Sequence, residues 1–173
     1  QSGEAAALAS AALQLKELFG DGHGQERDLF VQINISDEIH ARVWDKLMIN
    51  CSMNPLSALT RSDCGSIVAC GRTVGVLRAL AHEVALVGAR LDPPLHGLKL
   101  DADAIVKLYT GHFGLRPSML QDVEAGKTLE SSPILRAVVE LGELAGVATP
   151  TLDTIARLLD GLEGSLVKSA GSI

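Results

Sequence analysis

Aromatic side chains are scarce in this chain: one Trp, one Tyr and three Phe, 3% of 173 residues. A core cannot be built on rings, so Leu, Val, Ile and Ala must fill it, and alanine- and leucine-rich sequence favours helix. Positive charge is also short. Fifteen Lys and Arg stand against 21 Asp and Glu, a formal net charge of −6, and no basic cluster is interleaved with aromatics. Nothing supplies the positive field that a phosphate backbone requires, which argues against a nucleic-acid partner. Cysteine is limited to Cys51, Cys64 and Cys70. Their spacing suits no metal, and an odd number leaves one outside any disulfide scheme, so a reduced, cytoplasmic setting is expected. The five histidines likewise show no ligand spacing. No apolar run reaches membrane length, because the longest candidate, 67–87, contains Arg72, Arg78, His82 and Glu83. Residues 5–13 lack a basic leader and follow Glu4, unlike a secretory signal. The chain begins at Gln1 rather than Met, as a fragment or processed product would.

What is present is a chain 47% hydrophobic, long enough for one domain with an appendage and a real core. Residues 4–19 read as an amphipathic helix and 20–27 as a breaker-rich loop. Residues 28–35, rich in Leu, Phe, Val and Ile, read as a single strand that needs partners from elsewhere. From Ser36 onward everything reads as helix. Ser36 or Asp37 caps a helix to near Leu59, with a kink or break near Pro55. Residues 65–91 read as one long helix, apolar on two faces and therefore central. Its Gly71, Gly75 and Gly88 suggest close approach of neighbouring helices. Asp101 caps a helix over 102–113, and Pro117 opens another that stops at Gly126. Ser132-Pro133 opens a helix that Gly146 closes, and Thr149-Pro150 opens the last, to about Leu162. The expected architecture is mostly α: a helix–strand appendage over 1–35, a multi-helix domain over 36–163, and a flexible tail over 164–173.

The most informative feature is the run from Trp44 to Pro55, WDKLMINCSMNP. Steps of four residues rotate only about 40° around a helix. Lys46, Asn50 and Asn54 therefore make one narrow polar stripe among Leu47, Met48, Ile49, Cys51, Met53 and Leu56. A cation and two amides in apolar surroundings are costly unless something polar meets them. Either they satisfy one another or solvent, or they meet a ligand. A second polar cluster spans 118–130, SMLQDVEAGKTLE. Ser118 falls in the first turn after Pro117, where helix N–H groups favour an anion. Glu130 stands just ahead of the next helix. A local cap and a charge favourable to a helix terminus are the plainer readings of these two.

Together these residues resemble the C-terminal domain of ketopantoate reductases (2-dehydropantoate 2-reductases). The family pattern has a Trp, a Lys-Leu pair, an Asn four after the Lys and an Asn-Pro four later; here stand Trp44, Lys46-Leu47, Asn50 and Asn54-Pro55. Downstream it has Ser-Met-x-x-Asp, a glycine with a basic residue, Thr and Glu, then Gly-Val/Ile-x-x-Pro. Here stand Ser118-Met119 with Asp122, Gly126-Lys127, Thr128, Glu130, and Gly146-Val147 with Pro150. The resemblance runs from about Ile35 to Leu162. It implies a helical domain of the 6-phosphogluconate dehydrogenase-like type, with residues 1–35 as the last helix and strand of a Rossmann-like domain that binds NADPH. The G-x-G-x-x-G fingerprint of such a domain is absent here. Implied partners are a small 2-oxo acid, the chain's own nucleotide-binding domain and a second copy in a homodimer, with no nucleic acid and no membrane.

The resemblance further implies roles. Lys46 is the general acid to the carbonyl oxygen. Asn50, Asn54 and Ser118 bind substrate, and Glu130 accepts from a substrate hydroxyl and keeps Lys46 charged. Three departures stand beside the matches. Cys64 replaces an Asn before Gly65, Leu115 replaces an Asn three residues before Ser118, and Leu129 separates Thr128 from Glu130. Lost amides remove hydrogen bonds to substrate, so the oxo acid can differ while the reaction class stays. The competing expectation is a non-catalytic dimerisation or interaction module derived from the same family. An unrelated helical binding protein is the third.

Overall fold

The chain divides at Ile39–His40 into two units. The computed structural model describes Ser10 and residues 38–91, 94–129 and 131–170, without the side chains of 131, 132 and 168–170. The expected strand over 28–35, the loop before it, the cap at Ser36 or Asp37, Glu130, and all of the first helix but Ser10 lie outside the described residues.

Among the described residues there are seven helices and no strand: α1 (Ile39–Thr60), α2 (Cys64–Ala69), α3 (Gly71–Arg90), α4 (Ala102–Tyr109), α5 (Ser118–Glu124), α6 (Ser131–Ala145) and α7 (Pro150–Ala170). The mostly-α expectation for this part of the chain holds. α3 is the hub, packing against α2, α4, α6 and α7, while α6 and α7 form an antiparallel-style neighbour pair joined by a short loop. The core is aliphatic and thioether: Met48, Met53, Ile67, Leu77, Leu80, Val84, Ile105, Met119, Leu135, Leu152 and Leu159 are all fully buried.

α1 changes character along its length. Its first half is amphipathic, with Ile39 and Val43 exposed and Ala41, Trp44 and Met48 buried. From Cys51 to Ala58 every residue is buried. That all-round burial explains why the helix continues through Pro55 without a break. A proline inside a helix removes the N–H that would bond the carbonyl four residues back, here Cys51, at a cost of about 3 kcal/mol. Packing of Met53, Leu56 and Ala58 offsets it. α1 ends at Arg61, which takes the left-handed backbone (φ 54°) that commonly follows a helix.

The helix expected over 65–91 is two helices. Asp63 caps α2 by accepting from Ser66 N at 2.7 Å. Cys70 then turns extended (φ −99°, ψ 113°) before α3 starts. The Thr73 hydroxyl holds the corner, its one proton shared between the carbonyls of Ile67 and Cys70 that both lie within hydrogen-bond reach, a local alternative to the helical ladder of the sort Ser and Thr offer. The glycine expectation divides as well. A Cβ at Gly88 would sit 2.6 Å from Trp44 Nε1, whereas Gly71 and Gly75 face nothing within 4 Å.

Helix ends also moved. Asp101 caps α4 as expected, accepting from Ala104 N at 2.7 Å, but α4 stops at Tyr109 rather than 113. Thr110 leaves helical geometry (ψ 124°) and Gly111 follows at φ 81°. Gly126 and Gly146, both at φ 67°, close α5 and α6 where the sequence placed their ends. α7 does not stop near Leu162. Leu162 and Leu166, one turn apart, both pack on the core, so the helix runs to Ala170 and residues 164–170 are not a loose tail.

Candidate functional site

Lys46, Asn50 and Asn54 lie on α1, one turn apart, as the spacing requires. The stripe runs from solvent into the protein. Lys46 is exposed, Asn50 half-buried and Asn54 only 8% exposed. Asn54 Nδ2 donates to Asn50 Oδ1 at 3.2 Å. The two amides thus satisfy each other in part, while Lys46 has no ion-pair partner among the described residues. An ammonium at the open end of a half-buried amide pair can donate to an oxygen that settles against the helix.

The neighbours of Lys46 fix the helix that carries it. The Trp44 indole donates to the Val84 carbonyl at 3.1 Å and lies over Gly88, tying α1 to α3. Asp45, 7% exposed, accepts from Arg42 Nη1 at 2.8 Å, from Lys99 N at 3.0 Å and from Leu100 N at 3.0 Å. Arg42 also donates to the Gly97 carbonyl. One carboxylate therefore straps the 94–100 segment to α1 right beside Lys46. Glu83 does the same elsewhere. It is 7% exposed and accepts from Thr151 N at 2.9 Å and Leu152 N at 2.8 Å, capping α7 from α3 at the positive end of the helix dipole. The sequence reading missed Asp45 and Glu83. The available signal was a carboxylate among apolar helix positions, which needs a partner.

Ser118 is the first residue of α5. It is exposed, and the position before it, Pro117, makes no side-chain cap, so Ser118 is not the local cap of the plainer reading. The hydroxyl is free to meet a ligand, although no hydrogen bond links it to the α1 stripe. Glu130 lies outside the described residues. Its neighbour Leu129 is buried, and its N–H is held by Glu163 Oε1 at 3.1 Å. Leu129 lines a groove of about 460 Å³ between α6 and α7, together with Pro133, Arg136, Glu140, Asp160 and Glu163. Arg136 and Asp160 pair there. None of Lys46, Asn50, Asn54 or Ser118 lines this groove.

The two substituted amide positions meet. Cys64 N donates to the Leu115 carbonyl at 2.9 Å, Gly65 N to the His112 carbonyl at 3.1 Å, and Gly114 N to Asp63 Oδ2 at 3.0 Å. A Cβ on Gly65 would stand 2.7 Å from Phe113 N, so only glycine permits this approach. Burial pushes the Cys64 thiol up to about 11 and the Cys51 thiol to about 12, which keeps both protonated and unreactive. Among the described residues no group of His, Cys, Asp and Glu could hold a metal ion.

A family model described as "Ketopantoate reductase PanE/ApbA C terminal" matches residues 38–163. The chain belongs to this family. Among curated relatives, it is 36% identical over 132 residues to a 2-dehydropantoate 2-reductase of Mesorhizobium japonicum, covering 75% of this chain and 39% of the relative. It is 33% identical over 141 residues to the 2-dehydropantoate 2-reductase of Archaeoglobus fulgidus, covering 81% of this chain and 46% of the relative. It thus spans less than half the length of either. A dimeric ketopantoate reductase from Staphylococcus aureus shares the fold, with a TM-score of 0.72 at 23% identity over 90% of this chain and 52% of that one. The C-terminal helical domain of the ketopantoate reductase family is therefore what α1–α7 build. No helix among the described residues is long and apolar enough to cross a membrane.

Proposed function

We propose that residues 36–163 are the substrate-binding and catalytic domain of an NADPH-dependent 2-oxo acid reductase that converts 2-dehydropantoate to pantoate. Residues 1–35 then close a nucleotide-binding domain that works with it, in a homodimer like that of the Staphylococcus aureus relative, in the cytoplasm. The observation that carries this reading is the Lys46–Asn50–Asn54 stripe, which ends exposed on α1 within the segment that matches the family. The described residues are helices and loops without a strand–glycine turn–helix unit, so they suit the ketone side of the reaction and not the dinucleotide.

A reduced nicotinamide, held by the nucleotide-binding domain, would supply hydride to the carbonyl carbon, and negative charge would grow on the carbonyl oxygen. Lys46 meets that charge as hydrogen-bond donor and general acid. Asn50 and Asn54 orient the substrate along α1, and Ser118 offers a hydroxyl to its carboxylate or alcohol. Glu130 accepts from a substrate hydroxyl and favours the charged form of Lys46. Cys64 and Leu115, where amides would add hydrogen bonds, leave a less polar corner, which tolerates oxo acids with a smaller polar tail.

The test follows NADPH oxidation by the domain joined to its nucleotide-binding domain. With 2-dehydropantoate the reductase reading predicts turnover, and Lys46→Ala removes it while NADPH affinity stays within about twofold. The helical chain alone binds no NADPH measurably. Failure of 2-dehydropantoate and of other branched 2-oxo acids to oxidise NADPH would overturn the reading and leave a dimerisation module in its place.

A further inference from the structure

The loop that leads into α5 is held in place at several points. Gly114 N donates to Asp63 Oδ2 at 3.0 Å. The His112 carbonyl accepts from Gly65 N and the Leu115 carbonyl from Cys64 N. The loop lies so close to α2 that a Cβ on Gly65 would stand 2.7 Å from Phe113 N. Yet the side chains on this platform are apolar and open to solvent: Phe113 is 66% exposed and Leu115 47%. A single exposed apolar side chain is ordinary. Here two stand on one fixed loop just ahead of Ser118. The polar groups around them are already engaged. Arg116 pairs with Glu124, the Gln121 amide donates to the Arg116 carbonyl at 2.8 Å, and the Asp63 carboxylate is taken up by Ser66 N and Gly114 N. From Phe113 to Pro117 the side chains therefore offer a ligand apolar surface, and the first hydroxyl comes at Ser118.

We propose that Leu115 is a specificity-determining residue. With Phe113 as the outer wall, it receives apolar branches on C3 of the oxo acid, the carbon next to the carbonyl, and so selects 2-oxo acids branched there over unbranched ones. Leu115 and Ser118 are three residues apart, so their Cα atoms lie at most about 11 Å from each other. In a four-carbon oxo acid, C3 is bonded to the alcohol carbon and separated from the carboxylate only by the carbonyl. Whichever of those groups Ser118 meets, branches on C3 fall within reach of the loop. The identity of the ligand rests on the reductase reading. The carbonyl, carboxylate and hydroxyl of the substrate stay with Lys46, Asn50, Asn54, Ser118 and Glu130, and the loop adds the apolar contact that none of these supplies.

The test compares two acids on the domain joined to its nucleotide-binding domain: 2-dehydropantoate and its analogue lacking only the two methyls on C3. The unsubstituted enzyme favours the branched acid in kcat/KM by about tenfold or more. Leu115→Asn has nearly the same size and lowers that ratio about fivefold, while Leu115→Met keeps it within about twofold. The intrinsic reactivities of the two acids cancel when variants are compared. Leu115 bonds α2 through its carbonyl, which the substitutions leave in place; should Leu115→Asn not fold, Phe113→Ala lowers the ratio in the same direction. A ratio unchanged in a folded Leu115→Asn enzyme overturns the proposal and leaves the reductase reading standing. An unchanged ratio with an altered sedimentation mass would show that the loop is a contact between protein copies, and overturns it too. If neither acid is reduced, the reductase reading itself fails, and the role of Leu115 falls with it.

Discussion

Asp45 and Lys46 are adjacent in sequence and stand in opposite environments. Asp45 is 7% exposed and takes hydrogen bonds from the Arg42 guanidinium and from the backbone of Lys99 and Leu100. Lys46, the next residue, faces solvent. The same contrast separates Glu83, whose two oxygens both accept from the start of α7, from the open end of the amide pair at Asn50. Where this protein buries a charge for architecture, it surrounds that charge with fixed donors, as the cost of burial demands. The stripe differs at its outer end, where Lys46 is exposed and has no ion-pair partner among the described residues. An exposed cation beside a strapped segment is the arrangement on which the proposed site rests.

Substitutions on the two sides of this contrast should fail in different ways. Lys46→Ala, on the open side, should lose about 10²–10³ in kcat with the thermal midpoint of the domain unchanged, read by steady-state kinetics and calorimetry on one preparation. Equal losses of turnover and of NADPH affinity would sink the acid role. Glu83→Ala, on the satisfied side, should do the reverse. It should cost about 2–3 kcal/mol of stability by freeing the part-buried Thr151 N–H and the buried Leu152 N–H, read by urea unfolding, with little effect on the folded fraction's rate. Gly88→Ala, beneath Trp44, should destabilise by about 1–2 kcal/mol net of its helix-propensity gain. Gly75→Ala on the same helix, with open space above it, should stabilise by up to about 1 kcal/mol. If both glycine variants stabilise, the Trp44–Gly88 contact is looser than described.

The smallest effect is one of pH. The N–H groups of Ser66 and Gly114 on the Asp63 carboxylate hold it below its ordinary value of 3.8. The stability it lends is complete above that value and is lost as the pH falls through the lower folded value. Asp63→Asn should therefore flatten the acid limb of the unfolding curve, and an unchanged acid midpoint would remove Asp63 from the account.

Local chemistry was the legible part of the sequence. The cap at Asp101, the helix start at Pro150, stops at Gly126 and Gly146, and the four-residue spacing of Lys46, Asn50 and Asn54 all act within one or two turns, and the structure has each of them. Contacts between distant segments were not legible. Asp45 reaches residues 54 and 55 positions away, and Glu83 reaches residues 68 and 69 away. No local pattern marks such partners. Periodicity also misled where it was strongest. The apolar spacing over 65–91 continues across Cys70 although the backbone does not: Cys70 is extended and exposed, between Ile67 buried on α2 and Val74 and Leu77 buried on α3. Gly164 reads as a stop but sits inside α7, where Leu162 and Leu166 keep packing. Of the candidate site, the α1 stripe and Ser118 are placed, and they stand on separate helices with no hydrogen bond between them.

The most direct measurement is a crystal structure of this domain with its nucleotide-binding domain, NADP+ and pantoate. The account predicts Lys46 Nζ and Asn50 Nδ2 within hydrogen-bond distance of pantoate oxygens, with Asn50 Oδ1 still on Asn54. Pantoate seated in the groove between α6 and α7, with Lys46 left in solvent, would contradict it.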